Sequence, residues 1–226
     1  MNKYGTHKRT CHVSIDDVTF ALQRLTNRDY ASIYEDKLFR YLCWMHRLFG
    51  LTVTLYAYAQ YGEWSLDDMP DKYKREFEDA EEWMKFGFHA VSDEQKDNNI
   101  IPEFAKVYKD TLGNIERFAG VSSIAKIVRL HYWYYPNEYL DVLKWHGVKA
   151  VLVKSEEKVM FPQSWSTTIQ IEKCSIIDII KQTWHYREVQ PMVVFTHEWA
   201  LNRKNKIKLA MAIMMIRMRG YNYICE

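Results

Sequence analysis

Two adjacent carboxylates, Asp16 and Asp17, end a short stretch of alternating apolar and polar residues that begins at His12. Successive side chains of a strand point to opposite faces, so both carboxylates can reach one pocket only where the chain leaves the sheet. Two carboxylates in one pocket repel each other, which favours a bound cation or a division into one ionised and one base-like group. The structural alternative is that the pair starts the following helix, because Asp is a good N-cap.

Ionisable residues recur at the ends of three further predicted strands. They are His89 with Asp93, Arg129 with His131, and His197 with Glu198. The carboxyl ends of parallel strands meet at one face of an α/β fold, and that face holds the active site. Imidazole and carboxylate groups are ligands for zinc, manganese, cobalt or nickel, so Asp17, His89 and Asp93 are candidate metal ligands. A His89 bonded to backbone at its strand end is the structural alternative, and His12, at the opposite end of its strand, has a structural interpretation.

Strands that alternate with helices must position these residues. Period-two and apolar stretches predict strands at 12–17, 51–59, 85–91, 124–135, 148–153 and 192–196. Helical spacing predicts helices at 18–25, 32–49 with Gly50 as C-cap, 76–84, 103–118, 138–145, 176–186 and 204–219. Residues 154–174 read as an irregular insertion or a hairpin. This order predicts a mostly parallel sheet with outer helices, and a distorted (β/α) barrel rather than an open sheet.

The length of 226 residues and the absence of a linker composition predict one domain, residues 1–226. Lys and Arg number 31 against 29 Asp and Glu, a net charge of +2 that predicts no strong overall field for nucleic acid or an anionic membrane. The basic residues at 204–208 are typical of a solvated helix face. The 8 Trp and 16 Tyr suit stacking on sugar faces, although aromatic side chains also fill cores.

Four cysteines without C-x-x-C spacing indicate free thiols in a reducing compartment. The first residues lack the apolar region of a signal peptide. The longest apolar segment, residues 209–215, is too short to span a bilayer. These features predict a cytoplasmic protein without a transmembrane segment, and they carry no signal for an oligomeric state.

The strand ends resemble the motifs of polysaccharide deacetylases of the carbohydrate esterase type, the group that shares the nodulation-factor deacetylase domain. Residues 14–17 (SIDD) stand for T-F-D-D, residues 89–93 (HAVSD) for H-[ST]-x-x-H, residues 129–132 (RLHY) for R-P-P-Y, and residues 194–197 (VFTH) for a strand ending in L-x-x-H. Aspartate replaces the second histidine of the second motif, and the prolines of the third are missing. The Asp and Trp pair of the fourth motif has no clear counterpart, and Trp165 is the candidate.

The resemblance implies a distorted (β/α) barrel that removes an acetyl group from an N-acetylated sugar with the help of a divalent metal ion. Zinc is the first expectation, with cobalt, nickel or manganese as alternatives. The implied roles are a general base at Asp16, metal ligation by Asp17, His89 and Asp93, orientation of the base by Arg129, an oxyanion contact from the backbone N–H of Tyr132, and proton donation to the leaving amine by His197.

Four further residues are candidates for substrate binding: His131, Trp133, Trp165 and Glu198. His131 could instead be an extra metal ligand or a packed core residue, and Glu198 could orient His197 or be solvated. Two other functions stay open, namely a relative that has lost catalysis and binds a glycan or a protein, and a metal-assisted amidase for a non-sugar amide. A cytoplasmic enzyme would act on a nucleotide- or lipid-linked sugar precursor.

Overall fold

A ring of parallel strands surrounded by helices forms the body of the protein in the computed structural model, which describes residues 9–94, 102–154, 159–186 and 190–225. The strands are β1 (Thr10–Asp16), β2 (Val53–Tyr58), β3 (Gln60–Tyr61), β4 (Trp64–Ser65), β5 (Met84–Ala90), β6 (Ile127–Val128), β7 (Ala150–Val153), β8 (Ser164–Ser166), β9 (Ile169–Gln170), β10 (Met192–His197) and β11 (Asn222–Ile224). The α-helices are α1 (Thr19–Asn27), α2 (Lys37–Phe49), α3 (Lys74–Asp79), α4 (Phe104–Ala119), α5 (Asn137–Trp145), α6 (Ile176–His185) and α7 (Arg203–Met218).

Two parallel sheets make up the ring. One has the order β5-β2-β1-β10-β9, and the other has the order β6-β7-β8. At one junction the N–H of Ala125 donates to the carbonyl of Phe86 over 2.8 Å. At the other junction, β8 and β9 belong to one continuous segment. Between them, the N–H of Thr167 donates to the carbonyl of Val153, and the N–H of Thr168 donates to the carbonyl of Val193. The segment therefore joins β7 to β10 and closes a distorted barrel, which confirms the predicted fold class.

Alternate side chains of β1 point to the two faces of the sheet, one towards the helices and the other towards the inside of the barrel. Cys11, Val13 and Ile15 belong to the apolar core between strands and helices. The alternate residues His12, Ser14 and Asp16 are also fully buried, because a parallel strand has both faces covered. The His12 ring lies 6.4 Å from that of Trp165 inside the ring, and its Nδ1 lies 3.2 Å from the carbonyl oxygen of Ile224. This position at the end of β1 away from Asp16 agrees with the structural interpretation of His12.

Local sequence signals account for most helix boundaries. Asp36 caps the start of α2 by accepting a hydrogen bond from Leu38 N–H, and Gly50 ends α2 with a φ of 66°, as predicted. The predicted helix at 32–49 starts later than expected, because residues 33–35 form a separate 3₁₀ turn. The predicted helices at 103–118, 138–145, 176–186 and 204–219 correspond to α4, α5, α6 and α7.

Three predicted elements differ from the structure. The predicted helix at 76–84 is the shorter α3, because Met84 already belongs to β5. The predicted strand at 124–135 is only β6, since Tyr132 and Trp133 have φ values of 55° and 62° that no strand allows. The predicted insertion at 154–174 contains the closing strands β8 and β9, and the short strands β3, β4 and β11 were not predicted.

The basic segment 204–208 is only partly a solvated helix face. Lys204 is exposed, whereas Lys208 is buried and donates from Nζ to the carbonyl oxygen of Ile171 over 3.2 Å. Within the described ranges, the helices are too short or too polar for any one of them to cross a membrane.

Candidate metal and catalytic site

Asp17 stands where the chain turns out of the barrel. Strand β1 ends at Asp16, and Asp17 has a φ of 57°, a left-handed value that Asp tolerates better than most residues. Helix α1 starts with Val18 as N-cap and has no side-chain cap, so the N-cap interpretation of the two carboxylates is wrong. The Asp17 carboxylate accepts a hydrogen bond from Trp199 Nε1 over 2.9 Å. Its buried Oδ1 has no hydrogen-bond partner among the described residues.

His89 and His131 lie beside this carboxylate oxygen. His89 is the penultimate residue of β5, and its Nδ1 lies 2.8 Å from the carbonyl oxygen of Arg129. A protonated Nδ1 donates to that carbonyl, so the lone pair of the neutral ring is on Nε2. Nε2 lies 3.4 Å from Asp17 Oδ1 and 3.1 Å from His131 Nδ1. The ligand atoms of these three residues all lie within 4.8 Å of one another.

The protonation state and the spacing of this group fit a divalent ion. Burial lowers the pKa of His89, and burial followed by the proximity of His89 lowers the pKa of His131 to about 4, so both rings are neutral near pH 7. A metal ion needs neutral imidazoles and an ionised carboxylate. Ligand atoms at bond lengths of about 2.0–2.2 Å from a shared ion are themselves roughly 3 Å apart, as His89 and His131 are here. The orphaned Oδ1 of Asp17 could supply the third ligand atom.

Asp93 does not join this group, which corrects its assignment as a metal ligand. It is exposed in the turn that follows β5. Residues four apart share a face in a helix or in a continuous strand, but not where a strand ends between them and the chain turns. Here His89 is in a strand and residues 93–94 form a turn, so the carboxylate of Asp93 lies outside the group and His131 takes the third place.

Asp16 and Arg129 form a buried ion pair next to the three ligands. The Arg129 guanidinium lies against two aromatic rings, 4.0 Å from the centroid of Trp133 and 3.8 Å from that of Phe195. These rings and the Asp16 carboxylate together compensate a charge that is removed from water. Trp133 therefore stabilises the charge of Arg129 and also lines the cleft.

His197 faces Asp16 from the neighbouring strand. The two residues are paired in the parallel ladder of β1 and β10, and His197 Nε2 lies 4.0 Å from Asp16 Oδ2. The other ring nitrogen, Nδ1, lies 2.5 Å from Glu172 Oε1. A carboxylate at Nδ1 fixes the ring so that Nε2 points to the cleft. The structure thus brings a carboxylate and an oriented histidine to adjacent strand ends.

Sequence reasoning missed Glu172. Its burial favours the neutral acid, but hydrogen bonds from His197 and Gln170 outweigh burial and lower its pKa to about 2. The Thr196 hydroxyl donates to its second oxygen over 3.0 Å. Glu172 lies two residues after β9. The other site residues were predicted because an ionisable group follows a strand, and the same criterion would have identified Glu172 if β9 had been predicted as a strand.

A cleft of about 360 Å³ opens over these residues. It is lined by His89, Arg129, His131, Tyr132, Trp133, Lys154, Gln170, Lys173, Phe195 and His197. The consecutive left-handed backbone at Tyr132 and Trp133 is costly for large side chains, and such strain collects at functional sites. The Tyr132 side chain is half exposed at the rim. The oxyanion role of its backbone N–H stays a prediction.

Two residues assigned to substrate binding lie elsewhere. Trp165 packs inside the barrel with Val193 and Leu152, and it does not line the cleft. Glu198 points away from His197, because β10 ends at His197 and Glu198 already belongs to a 3₁₀ turn over residues 198–200. Its buried carboxylate accepts hydrogen bonds from Ala21 N–H over 2.9 Å and from Arg24 Nη2 over 3.0 Å. Glu198 therefore ties β10 to α1 and has a structural role.

Comparison with known proteins gives a likeness of fold. No family model and no curated protein sequence matches the chain. Among solved structures, a family 4 carbohydrate esterase from Streptomyces lividans has a TM-score of 0.59 at 14% identity, over 95% of this chain and 91% of that one. The Bc1960 peptidoglycan N-acetylglucosamine deacetylase has a TM-score of 0.61 at 12% identity, over 97% and 87% of the two chains.

Two other matches limit what the fold says about activity. A CE4 family pseudoenzyme from Bacillus anthracis has a TM-score of 0.57 at 9% identity, over 97% of this chain and 64% of that one. The 4-alpha-glucanotransferase from Thermococcus litoralis has a TM-score of 0.61 at 9% identity, over 97% and 40%. The same fold thus occurs in proteins of different activity, so the residues of the site, and not the fold, determine the function. The chain therefore shares the fold of these family 4 carbohydrate esterases and deacetylases at 12–14% identity.

Proposed function

We propose that this protein is a metal-dependent hydrolase that removes the acetyl group from an N-acetylated sugar or glycan precursor. One observation carries the proposal: Asp17, His89 and His131 form a compact ligand group directly beside the Asp16–Arg129 pair and the His197–Glu172 pair. A three-residue ligand set leaves positions open for a substrate and a water molecule, as catalytic rather than structural metal sites do.

Asp17, His89 and His131 would hold the ion. A divalent ion supplies Lewis-acid chemistry for amide hydrolysis by polarising the carbonyl and making water a better nucleophile. The identity of the ion, with zinc expected first, and a cytoplasmic location stay predictions.

The other residues move the protons. Asp16 takes a proton from the water that attacks the acetamide carbonyl, and Arg129 orients Asp16 and keeps it ionised beforehand. The carbon–nitrogen bond then breaks while His197 gives its Nε2 proton to the amine nitrogen, so that acetate and a free amine leave. Glu172 orients His197 and stabilises its protonated form. The half-exposed Tyr132 and the edge of Trp133 offer aromatic surface to the sugar ring.

The first test is the metal content of the purified protein, measured by mass spectrometry. We expect about one equivalent of a transition metal in the wild type and its loss in Asp17→Ala and His89→Ala. Asp110→Ala and His185→Ala are the controls, because they remove the same residue types from exposed helix positions. A protein that takes up no zinc, cobalt, nickel or manganese would exclude the proposed reaction.

A catalytically inactive binding protein of the same fold is the second candidate, since a pseudoenzyme is among the similar structures. The complete set of base, acid and ligand residues favours catalysis. Acetate release from N-acetylated mono- and oligosaccharides by the metal-loaded protein separates the two. Metal binding without acetate release, in a protein that retains sugar affinity, would favour the binding function.

A further inference from the structure

Three neighbouring helices expose an unusual share of the large apolar side chains. Fourteen such side chains are exposed in the described part of the chain, and nine of them lie on α2, α6 and α7. They are Trp44, Leu48, Ile176, Ile177, Ile180, Trp184, Ile207, Met214 and Met218. We call the exposed surface of these three helices the α2–α6–α7 wall. Apolar side chains grouped in this way mark interaction surfaces more often than scattered ones do.

Direct contacts make the wall continuous. The Tyr41 hydroxyl of α2 donates to the carbonyl of Lys206 in α7 over 2.9 Å. A groove of about 480 Å³ lies between these two helices and is lined by Tyr41, Trp44, Arg203, Lys206, Ile207 and Ala210. At the other end, Arg219 donates to the carbonyl of Thr183 in α6, and its guanidinium lies 5.3 Å from the ring of Trp184.

The wall is also strongly basic. The sequences of α2, α6 and α7 contain nine Lys and Arg residues and a single acidic residue, Asp178, which caps the start of α6. The three helices thus carry a charge of +8, whereas the whole chain carries only +2 and the remainder is net negative. Lys206 has no carboxylate partner among the described residues, and burial followed by the proximity of Lys37 lowers its pKa. An anionic partner would relieve this concentration of charge.

We propose that the α2–α6–α7 wall docks on the surface of an anionic lipid membrane. Exposed Trp, Ile and Met side chains would enter the boundary between headgroups and acyl chains, while the flanking Lys and Arg contact anionic headgroups. A second copy of the chain is a poor occupant, because two strongly basic faces repel each other. A nucleic acid would match the charge but would leave the apolar side chains without contacts.

One end of the wall, the start of α7, is linked to the catalytic site through Trp199. Helix α7 begins six residues after His197, and Trp199 lies between them with its ring stacked on that of His197, 5.1 Å between centroids. Docking would bring the cleft to the headgroup layer. One consequence rests on the proposed function: the substrate would be an N-acetylated sugar attached to a lipid. Vesicle binding requires no catalysis, so docking and deacetylation can fail separately.

The test is co-sedimentation of the full-length protein with vesicles of phosphatidylcholine, with and without phosphatidylglycerol, at low and high salt. We expect binding only to the phosphatidylglycerol vesicles and its loss at high salt. Arg203→Ser with Lys204→Ser should weaken partitioning roughly 25-fold, about fivefold for each cation. Lys106→Ser with Lys109→Ser makes the same charge change on α4 and should leave partitioning within about twofold.

The apolar contribution has its own matched pair. Trp44→Ser should weaken partitioning by about tenfold or more, because the buried indole surface is lost. Trp145→Ser, at the exposed end of α5, should not weaken it. Circular dichroism and thermal midpoints equal to wild type establish that the variants fold, and Arg203→Gln with Lys204→Gln replaces the first pair if it does not fold.

The proposal is overturned if the protein ignores phosphatidylglycerol vesicles or binds both vesicle types equally. It is also overturned if the α4 pair and Trp145→Ser lose as much binding as the wall variants. Concentration-dependent dimerisation abolished by Trp44→Ser would assign the wall to a second copy. Binding to an anionic polymer without binding to vesicles would assign it to a polyanion.

Discussion

The Nε2 atom of His89 and the Nδ1 atom of His131 face each other at 3.1 Å, with the orphaned Oδ1 of Asp17 beside them. Two neutral imidazoles gain little from this approach unless one donates to the other or both bind the same ion. The carboxylate oxygen 3.4 Å from His89 completes a ligand set for the ion. The motif spacing suggests Asp93 as the third residue of the ligand group, whereas in the structure His131 lies in that position.

Removing the His131 ring should abolish metal binding, whereas removing Asp93 should not. We expect His131→Ala to weaken zinc affinity by more than about 100-fold, beyond the ~10–100-fold cost of losing an outer partner. Asp93→Ala should stay within about twofold of wild type. Isothermal titration of the metal-free proteins measures both. Equal losses in the two variants would return Asp93 to the ligand set.

Glu172→Gln should lower the turnover number and leave substrate binding nearly unchanged. The amide keeps the shape of the side chain but no longer stabilises a protonated His197, so we expect kcat to fall about 100-fold with little change in KM. Glu172→Asp should recover part of the loss. Steady-state kinetics of acetate release measures these changes, with Glu138→Gln on the exposed start of α5 as control. An unchanged kcat would remove Glu172 from the mechanism.

Glu198→Ala should destabilise the fold without a specific effect on catalysis. The change leaves Ala21 N–H and one side of Arg24 without their acceptor, for an expected loss of about 2–3 kcal/mol in the free energy of unfolding. Glu198→Gln keeps an acceptor oxygen and should lose less. Urea unfolding gives these values, and kcat of the folded fraction should equal that of wild type. A large fall in kcat with unchanged stability would contradict the structural role.

His12 should make the protein sensitive to mild acid. Burial lowers its pKa to about 4, whereas an unfolded histidine has a pKa of about 6.5. Between these values the unfolded chain binds a proton that the native chain does not. The free energy of unfolding therefore falls as the pH drops below about 6.5, by about 1.4 kcal/mol per pH unit and about 3 kcal/mol in total, and this contribution levels off below about pH 4.

The variant His12→Gln should show a shallower decline of stability between pH 6.5 and pH 4 than wild type, even if it is less stable at pH 7. Urea unfolding over a series of pH values measures the slope. His185→Gln, at the exposed end of α6, should leave the slope unchanged. If the free energy of unfolding changed with pH equally in wild type and His12→Gln, the pKa of His12 would not be lowered in the native protein, and the prediction would be wrong.

The sequence by itself determined the regular part of this protein. The alternation along 12–17 and the apolar run at 192–196 are sufficient to place Asp16 and His197 at the carboxyl ends of buried strands. Parallel pairing then brings these ends together, which is why Arg129, His89 and Asp17 could be named in advance.

Only the tertiary structure decided which neighbouring side chain enters the site. Within a strand, the pairing with its neighbours sets the direction of each side chain. Beyond the strand end, the direction depends on individual backbone angles, such as the φ of 57° at Asp17 and of 55° at Tyr132. His131 therefore enters and Asp93 does not, while Glu198 turns towards α1. Glu172 depends on the pairing of β9 with β10, a contact between distant segments that local sequence patterns cannot specify.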